Sequence, residues 1–210
     1  MLSVIHNAPS ESQLDVQDTI SIQSSHKERI RVVYVGNLVS ERYLLECIEA
    51  IKPLSDVELH IGGYGALEHY IADKANELDN VFFYGKLDYN QVIGLEKQCD
   101  IMVALYDPKV PNHLYAAPNK FYEALALGRP LIMFKNTGMD GISEENNIGV
   151  VCEDNIDSLR SAIKNLADRK GEFPIIAQRE KELFKEQYSW SIMENRLRKL
   201  YADLMGEQDK

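Results

Sequence analysis

From residue 30 onward the chain alternates between two apolar patterns. Runs of four or five residues at 31–35, 57–61, 81–84, 101–105, 131–134 and 149–152 are almost continuously apolar, which predicts strands. Between them, at 41–51, 67–76, 91–97, 120–127 and 156–168, apolar residues recur every three or four positions, which predicts helices. Strands that are apolar throughout are buried on both faces. That pattern belongs to a parallel sheet with crossover helices on each side. The expectation is therefore α/β, a single doubly wound parallel sheet of about six strands with right-handed crossovers. Residues 1–29 are polar and rich in Ser and Gln apart from 2–5, and read as a linker or leader ahead of a body spanning 30–186. A closing helix occupies 187–210, introduced by Tyr188-Ser189-Trp190-Ser191, with Trp190, Met193, Leu197, Leu200 and Leu204 at helical spacing. It is expected to cross back over the body and pack this stripe into the core.

Composition narrows the partners. The chain has 210 residues, of which 45% are apolar and 27% charged, enough for one sizeable α/β domain. Its 23 basic residues against 33 acidic give a formal charge of −10, which repels a polyanion and argues against a nucleic-acid partner. An anionic ligand has to be held by local positive features. Cys47, Cys99 and Cys152 are far apart and sit in apolar surroundings, so they read as buried thiols in a reducing compartment, with no metal spacing. No apolar run approaches the ~20 residues of a membrane span, and no basic start leads into an apolar stretch. The expected location is cytoplasmic.

The richest stretch is 117–130, Ala-Pro-Asn-Lys-Phe-Tyr-Glu-Ala-Leu-Ala-Leu-Gly-Arg-Pro. A loop enters a short helix at Pro118, and Gly128 ends it before a buried strand. The leading N–H groups of such a helix lack intrahelical partners and carry partial positive charge, so they can receive a phosphate. Lys120 adds a full charge in the first turn, and Glu123 offers a carboxylate to nearby hydroxyls. Three further loops fall at strand ends, where ligands bind in open α/β sheets. They are Val35-Gly36-Asn37-Leu38 with Arg42 beyond it, Ile61-Gly62-Gly63-Tyr64-Gly65, and Tyr84-Gly85-Lys86-Leu87. Gly63-Tyr64-Gly65 is not a dinucleotide fingerprint, since position 68 is Glu. Other chemistry-bearing residues read as structural. His60 lies within a strand, Asp88 precedes a helix as an N-cap, and Arg129 follows a helix-ending glycine. His113 lies before Tyr115 in a position to approach a ligand.

These motifs, in this order, resemble the donor site of retaining GT-B glycosyltransferases of the family 4 type. The family pattern is Glu, seven residues, Glu, followed by Ala-x-x-x-Gly-x-Pro. Pro118, Glu123, Ala124, Gly128 and Pro130 match it, while the first Glu of the pair falls on Tyr115. The resemblance implies that Glu123 holds the donor ribose, with Tyr115 at the position near the donor sugar. Gly36, Asn37, Arg42, Pro118, Asn119 and Lys120 would bind the diphosphate. Asn37 stands where the family has arginine, and Arg42 keeps the charge of a family lysine. Gly63, Gly85, Lys86 and Leu87 would line the base.

It further implies one Rossmann-like half of a GT-B enzyme, the C-terminal donor-binding half, preceded by an interdomain peptide that Val-Ile-His-Asn-Ala-Pro resembles. A nucleoside diphosphate sugar is the expected substrate, with no metal or other cofactor and no assigned catalytic residue in this chain. An N-terminal Rossmann-like domain would be the missing partner and the route to any peripheral membrane association. Without it the chain should be inactive and should expose apolar surface on the N-terminal segment or the Trp190 helix. The implied pathway is surface polysaccharide or glycoconjugate synthesis, capsule included. A sugar-nucleotide epimerase of the same architecture and a non-catalytic nucleotide- or partner-binding module are the alternatives.

Overall fold

A computed structural model describes residues 3–16, 20–24, 26 and 28–206. Six parallel strands, β1 Ile30–Asn37, β2 Val57–Tyr64, β3 Val81–Phe83, β4 Ile101–Ala104, β5 Leu131–Phe134 and β6 Gly149–Cys152, form one sheet of order β3-β2-β1-β4-β5-β6. The sheet grows outward from β1 to β3, then returns to the other side of β1 and runs to β6. Its order reverses between β1 and β4, which opens a crevice at their carboxyl ends. Helices α1 Glu11–Leu14, α2 Leu44–Ile51, α3 Glu68–Glu77, α4 Tyr89–Lys97, α5 Asn119–Leu127, α6 Asp140–Asn146, α7 Ile156–Asp168, α8 Phe173–Leu183 and α9 Trp190–Gly206 complete it. Two cores separate the layers. Val32 and Tyr34 face one side with Leu44, Ile48, Leu159 and Ile163. Val33 and Val35 face the other with Phe121, Leu125, Leu183 and Phe184.

The expected six strands are present, with four differences around them. Strands β1 and β2 run on to Asn37 and Tyr64, so both glycine loops belong to the ladder and Gly36 pairs with Gly63. Glycine permits this because Gly63 has φ +134° and a Cβ there would strike the Gly36 backbone. The helix expected over 41–51 is broken. A 3₁₀ turn covers Ser40–Arg42, Tyr43 sits at φ 50°, and α2 starts only at Leu44. Helices α6 and α8 went unforeseen, the first short and polar, the second opened by Pro174 without a capping side chain.

The tail also differs. Phe184–Tyr188 forms a π-helical turn, and α9 begins at Trp190. Of the stripe expected to enter the core, only Met193 is buried, while Leu204 is exposed and Trp190 is at the edge of exposure. The stripe is therefore surface over most of its length. All three cysteines are buried and free. Among the described residues no helix is long and apolar enough to cross a membrane, and no cluster of metal-ligating side chains occurs.

Candidate functional site

Four sequence-distant loops meet at the carboxyl edge of the sheet. Gly36 and Gly63 are ladder partners, and the Gly63 N–H donates to the Gly85 carbonyl over 2.7 Å. Pro118 opens α5 on the other side of Gly36. There the Lys120 ammonium donates to the Val35 carbonyl and lies 4.8 Å from the Tyr34 ring centroid. The cleft between them holds about 380 Å³ and is lined by Tyr34, Gly36, Asn37, Arg42, Tyr106, Pro118, Asn119 and Lys120. No side chain caps α5, so its first N–H groups are available to a ligand. The Arg42 guanidinium lies 3.9 Å over the Tyr106 ring. Asn37 is exposed, and its carbonyl accepts from the Tyr34 hydroxyl over 2.8 Å. Two cations and a helix start thus face one cleft on a chain of net charge −10. Chemically, this arrangement is suited to an anion.

A second, smaller cleft lies across the first turn of α5. It holds about 100 Å³ and is lined by Asn7, Pro9, Gln13, Tyr89, Asn119 and Glu123. Asn119 borders both clefts. The N-terminal segment closes this one, since Asn7 Nδ2 donates to Asn119 Oδ1 over 3.0 Å and His6 Nδ1 lies 2.7 Å from the Tyr122 hydroxyl. Arg196 on α9 ties down the same segment by donating to the Val4 carbonyl over 3.2 Å. Glu123 itself is only 5% exposed. Burial pushes its carboxyl above the ordinary carboxylate range, with the Lys120 ammonium and the Tyr89 hydroxyl drawing it back. Glu96 on α4 is 1% exposed, and neither of its oxygens has a hydrogen-bond partner. Burial first, then the neighbouring Glu123, raises Glu96 well above its usual value.

Not every expected residue reaches these clefts. Tyr115 is 85% exposed and lines neither. Leu87 packs inward against the core around Val35, leaving the loop's backbone, with Gly85 at φ +66°, as what it offers to a ligand. The Lys86 ammonium rests 5.1 Å from the exposed Tyr64 ring. Asp88 forms a capping box with Gln91, as expected of an N-cap. His60 is a buried strand residue, bonded to the Tyr84 hydroxyl at 2.8 Å, and burial holds its pKa down at about 3.

Tyr34, Tyr106, Tyr89 and Glu96 belong to no motif in the sequence. Tyr34 sits inside an apolar run and reads as core. Glu96 carried a usable signal. It shares a helix face with Val92 and Cys99, where a charge is out of place.

The family described as "Glycosyl transferases group 1" matches residues 16–199. An uncharacterized glycosyltransferase of Methanocaldococcus jannaschii, MJ1069, is 22% identical over 196 residues, covering 88% of this chain and 48% of that protein. Among solved structures, WaaG, a glycosyltransferase involved in lipopolysaccharide biosynthesis, superposes with a TM-score of 0.70 at 16% identity, over 92% of this chain and 54% of that one. HepE of Anabaena, solved with UDP-glucose, gives a TM-score of 0.66 at 15% identity, over 83% of this chain and 49% of that one. The chain thus spans about half the length of these three relatives.

Proposed function

The chain belongs to the group 1 glycosyl transferases, and on that premise we propose that it is the C-terminal, donor-binding half of a retaining enzyme using a nucleoside diphosphate sugar. The observation that carries this reading is the cleft at the sheet's reversal point, where Arg42, Lys120 and the uncapped start of α5 converge. A diphosphate there is stabilised by two cations and by helix N–H groups, without a metal ion. Ribose hydroxyls would reach Glu123 across Asn119, which borders both clefts. Ligand sites commonly occupy about 300–1,000 Å³, so the Glu123 cleft has to widen, with the Asn7–Asn119 contact giving way. The base would lie against the backbone of Gly63 and Gly85. Transfer with retained configuration, an acceptor held by a preceding Rossmann-like domain, a cytoplasmic location and a role in surface polysaccharide assembly complete the proposal.

Titration calorimetry with a nucleoside and its diphosphate tests it. Glu123→Ala should weaken both ligands by about ten- to hundredfold, because a charge-assisted contact to a hydroxyl is worth about 1.5–3 kcal/mol. Arg42→Ala should weaken the diphosphate and leave the nucleoside nearly unchanged. The donor reading is lost if both variants bind like the parent, or if the parent binds neither ligand at millimolar concentration. The position of Tyr115 outside the clefts favours one rival, a non-catalytic nucleotide-binding module. That rival predicts tight nucleotide binding but no sugar transfer when the preceding domain is supplied.

A further inference from the structure

A lone arginine on a single 3₁₀ turn is a poor anion receptor, because its long stem has to be immobilised for each contact it makes. Arg42 is nevertheless held on two sides. Its plane lies over the Tyr106 ring at 3.9 Å, and its Nη1 meets both the Glu41 carbonyl at 3.3 Å and His113 Nε2 at 3.1 Å. His113 comes from the 3₁₀ turn Pro111–Tyr115, 71 residues away in sequence, and is 6% exposed. The other ring nitrogen, Nδ1, lies 2.8 Å from the Asp107 carbonyl oxygen. A carbonyl only accepts and a guanidinium only donates. The proton therefore sits on Nδ1, and the Nε2 lone pair faces Arg42. The His113 ring in turn meets Tyr106 edge-on, with centroids 5.0 Å apart at 85°. The bonds to Glu41 and His113 both use Nη1.

We propose that His113, fixed in the Nδ1–H tautomer by the Asp107 carbonyl, is a positioning residue that aims the Arg42 guanidinium at the phosphates of the donor. The inference rests on the donor-site reading above and adds a residue to it. The pair also bridges the loops after β1 and β4, the two strands between which the sheet order reverses. Losing it would free the Arg42 tip while leaving its charge in place.

Three variants of the full chain separate aiming from mere packing: His113→Phe, His113→Gln and His113→Phe in an Arg42→Ala background. Inorganic pyrophosphate and uridine serve as probes. His113→Phe keeps a ring against Tyr106 and should weaken pyrophosphate by about fivefold, the loss of roughly one hydrogen bond's net worth. Uridine should bind unchanged. His113→Gln restores an acceptor and a donor and should recover most of the pyrophosphate affinity. In the Arg42→Ala background His113→Phe should add nothing, because the effect runs through Arg42. An undiminished effect in that background, or parent-like binding by His113→Phe, overturns the proposal.

A ligand-free measurement keeps it distinct from the donor reading. Nitrogen NMR of the parent should show His113 protonated on Nδ1 and restricted rotation at the Arg42 guanidinium, lost in His113→Phe. If neither probe binds the parent, the donor reading fails and this signature alone supports or sinks the placement of Arg42. Free guanidinium rotation in the parent overturns it.

Discussion

Glu180 on α8 is fully buried with both carboxyl oxygens unpartnered, and burial raises its pKa well above the usual value despite the nearby Arg129 and Lys181. Such a group binds a proton in the folded state at pH values where the unfolded chain has released it. Its stabilising contribution is complete below the unfolded value, near 4.5, and is lost as pH rises through the folded one. Glu180→Gln should therefore match the parent near pH 4 and exceed it at pH 8, because only the parent loses stability between the unfolded and folded values. Urea unfolding at the two pH values measures this. An equal difference at both would show that the carboxyl does not titrate between them. Glu180 and Glu96 show what single residues conceal. Neither carboxyl finds a hydrogen-bond partner, and only the packing of the helices around them reveals it. Asp88 was readable because its partner Gln91 is three residues away. His113 stands out in the sequence ahead of Tyr115, but its partner Arg42 lies 71 residues away and no local pattern pairs the two.

At the scale of elements, apolar runs marked the strands, because a strand buried on both faces is mostly apolar; β2, which buries Glu58 and His60, is the least regular of them. They did not mark where β1 and β2 end. Gly36, Asn37 and Gly63, residues of low strand propensity, extend the ladder together with Tyr64, held by pairing between the strands. The same extension brings the glycine loops together at the candidate site. Gly63→Ala should accordingly be severe, because its φ of +134° and the Gly36 backbone both oppose a Cβ. A loss of about 3 kcal/mol is expected, against about 0.5 kcal/mol or less for Gly171→Ala, where nothing lies within 4 Å. Thermal unfolding of the two variants makes the comparison. Similar midpoints would mean that the two glycine loops do not pack as described. Helix α5 was legible from both ends, Pro118 at its start and Gly128, with φ +67°, at its close. The break at Tyr43 was not, since nothing local distinguishes a left-handed tyrosine from a helical one.

At the scale of the whole molecule, the cleft of Arg42, Lys120 and the start of α5 is built from one sheet edge and one helix. On the donor reading, the groups that exclude water and orient an acceptor come from a preceding domain. Helix α9 is one-sided. Its stripe buries Met193 and leaves a shallow hollow of about 480 Å³ among Trp190, Leu197 and Tyr201. Binding and catalysis should therefore separate. Holding a diphosphate needs only groups already in place, whereas transfer needs the acceptor oriented against the sugar in a water-excluded site, effects worth up to ~10⁵–10⁸ M in effective concentration. Residues 1–210 alone are expected to bind a nucleoside diphosphate weakly and to transfer no sugar from its glycosylated form. Incubation with radiolabelled nucleotide sugars and a panel of acceptors, with the Glu123→Ala variant as control, measures this. Transfer by the parent that the substitution abolishes would mean that this chain suffices for catalysis, and that the acceptor site lies within it.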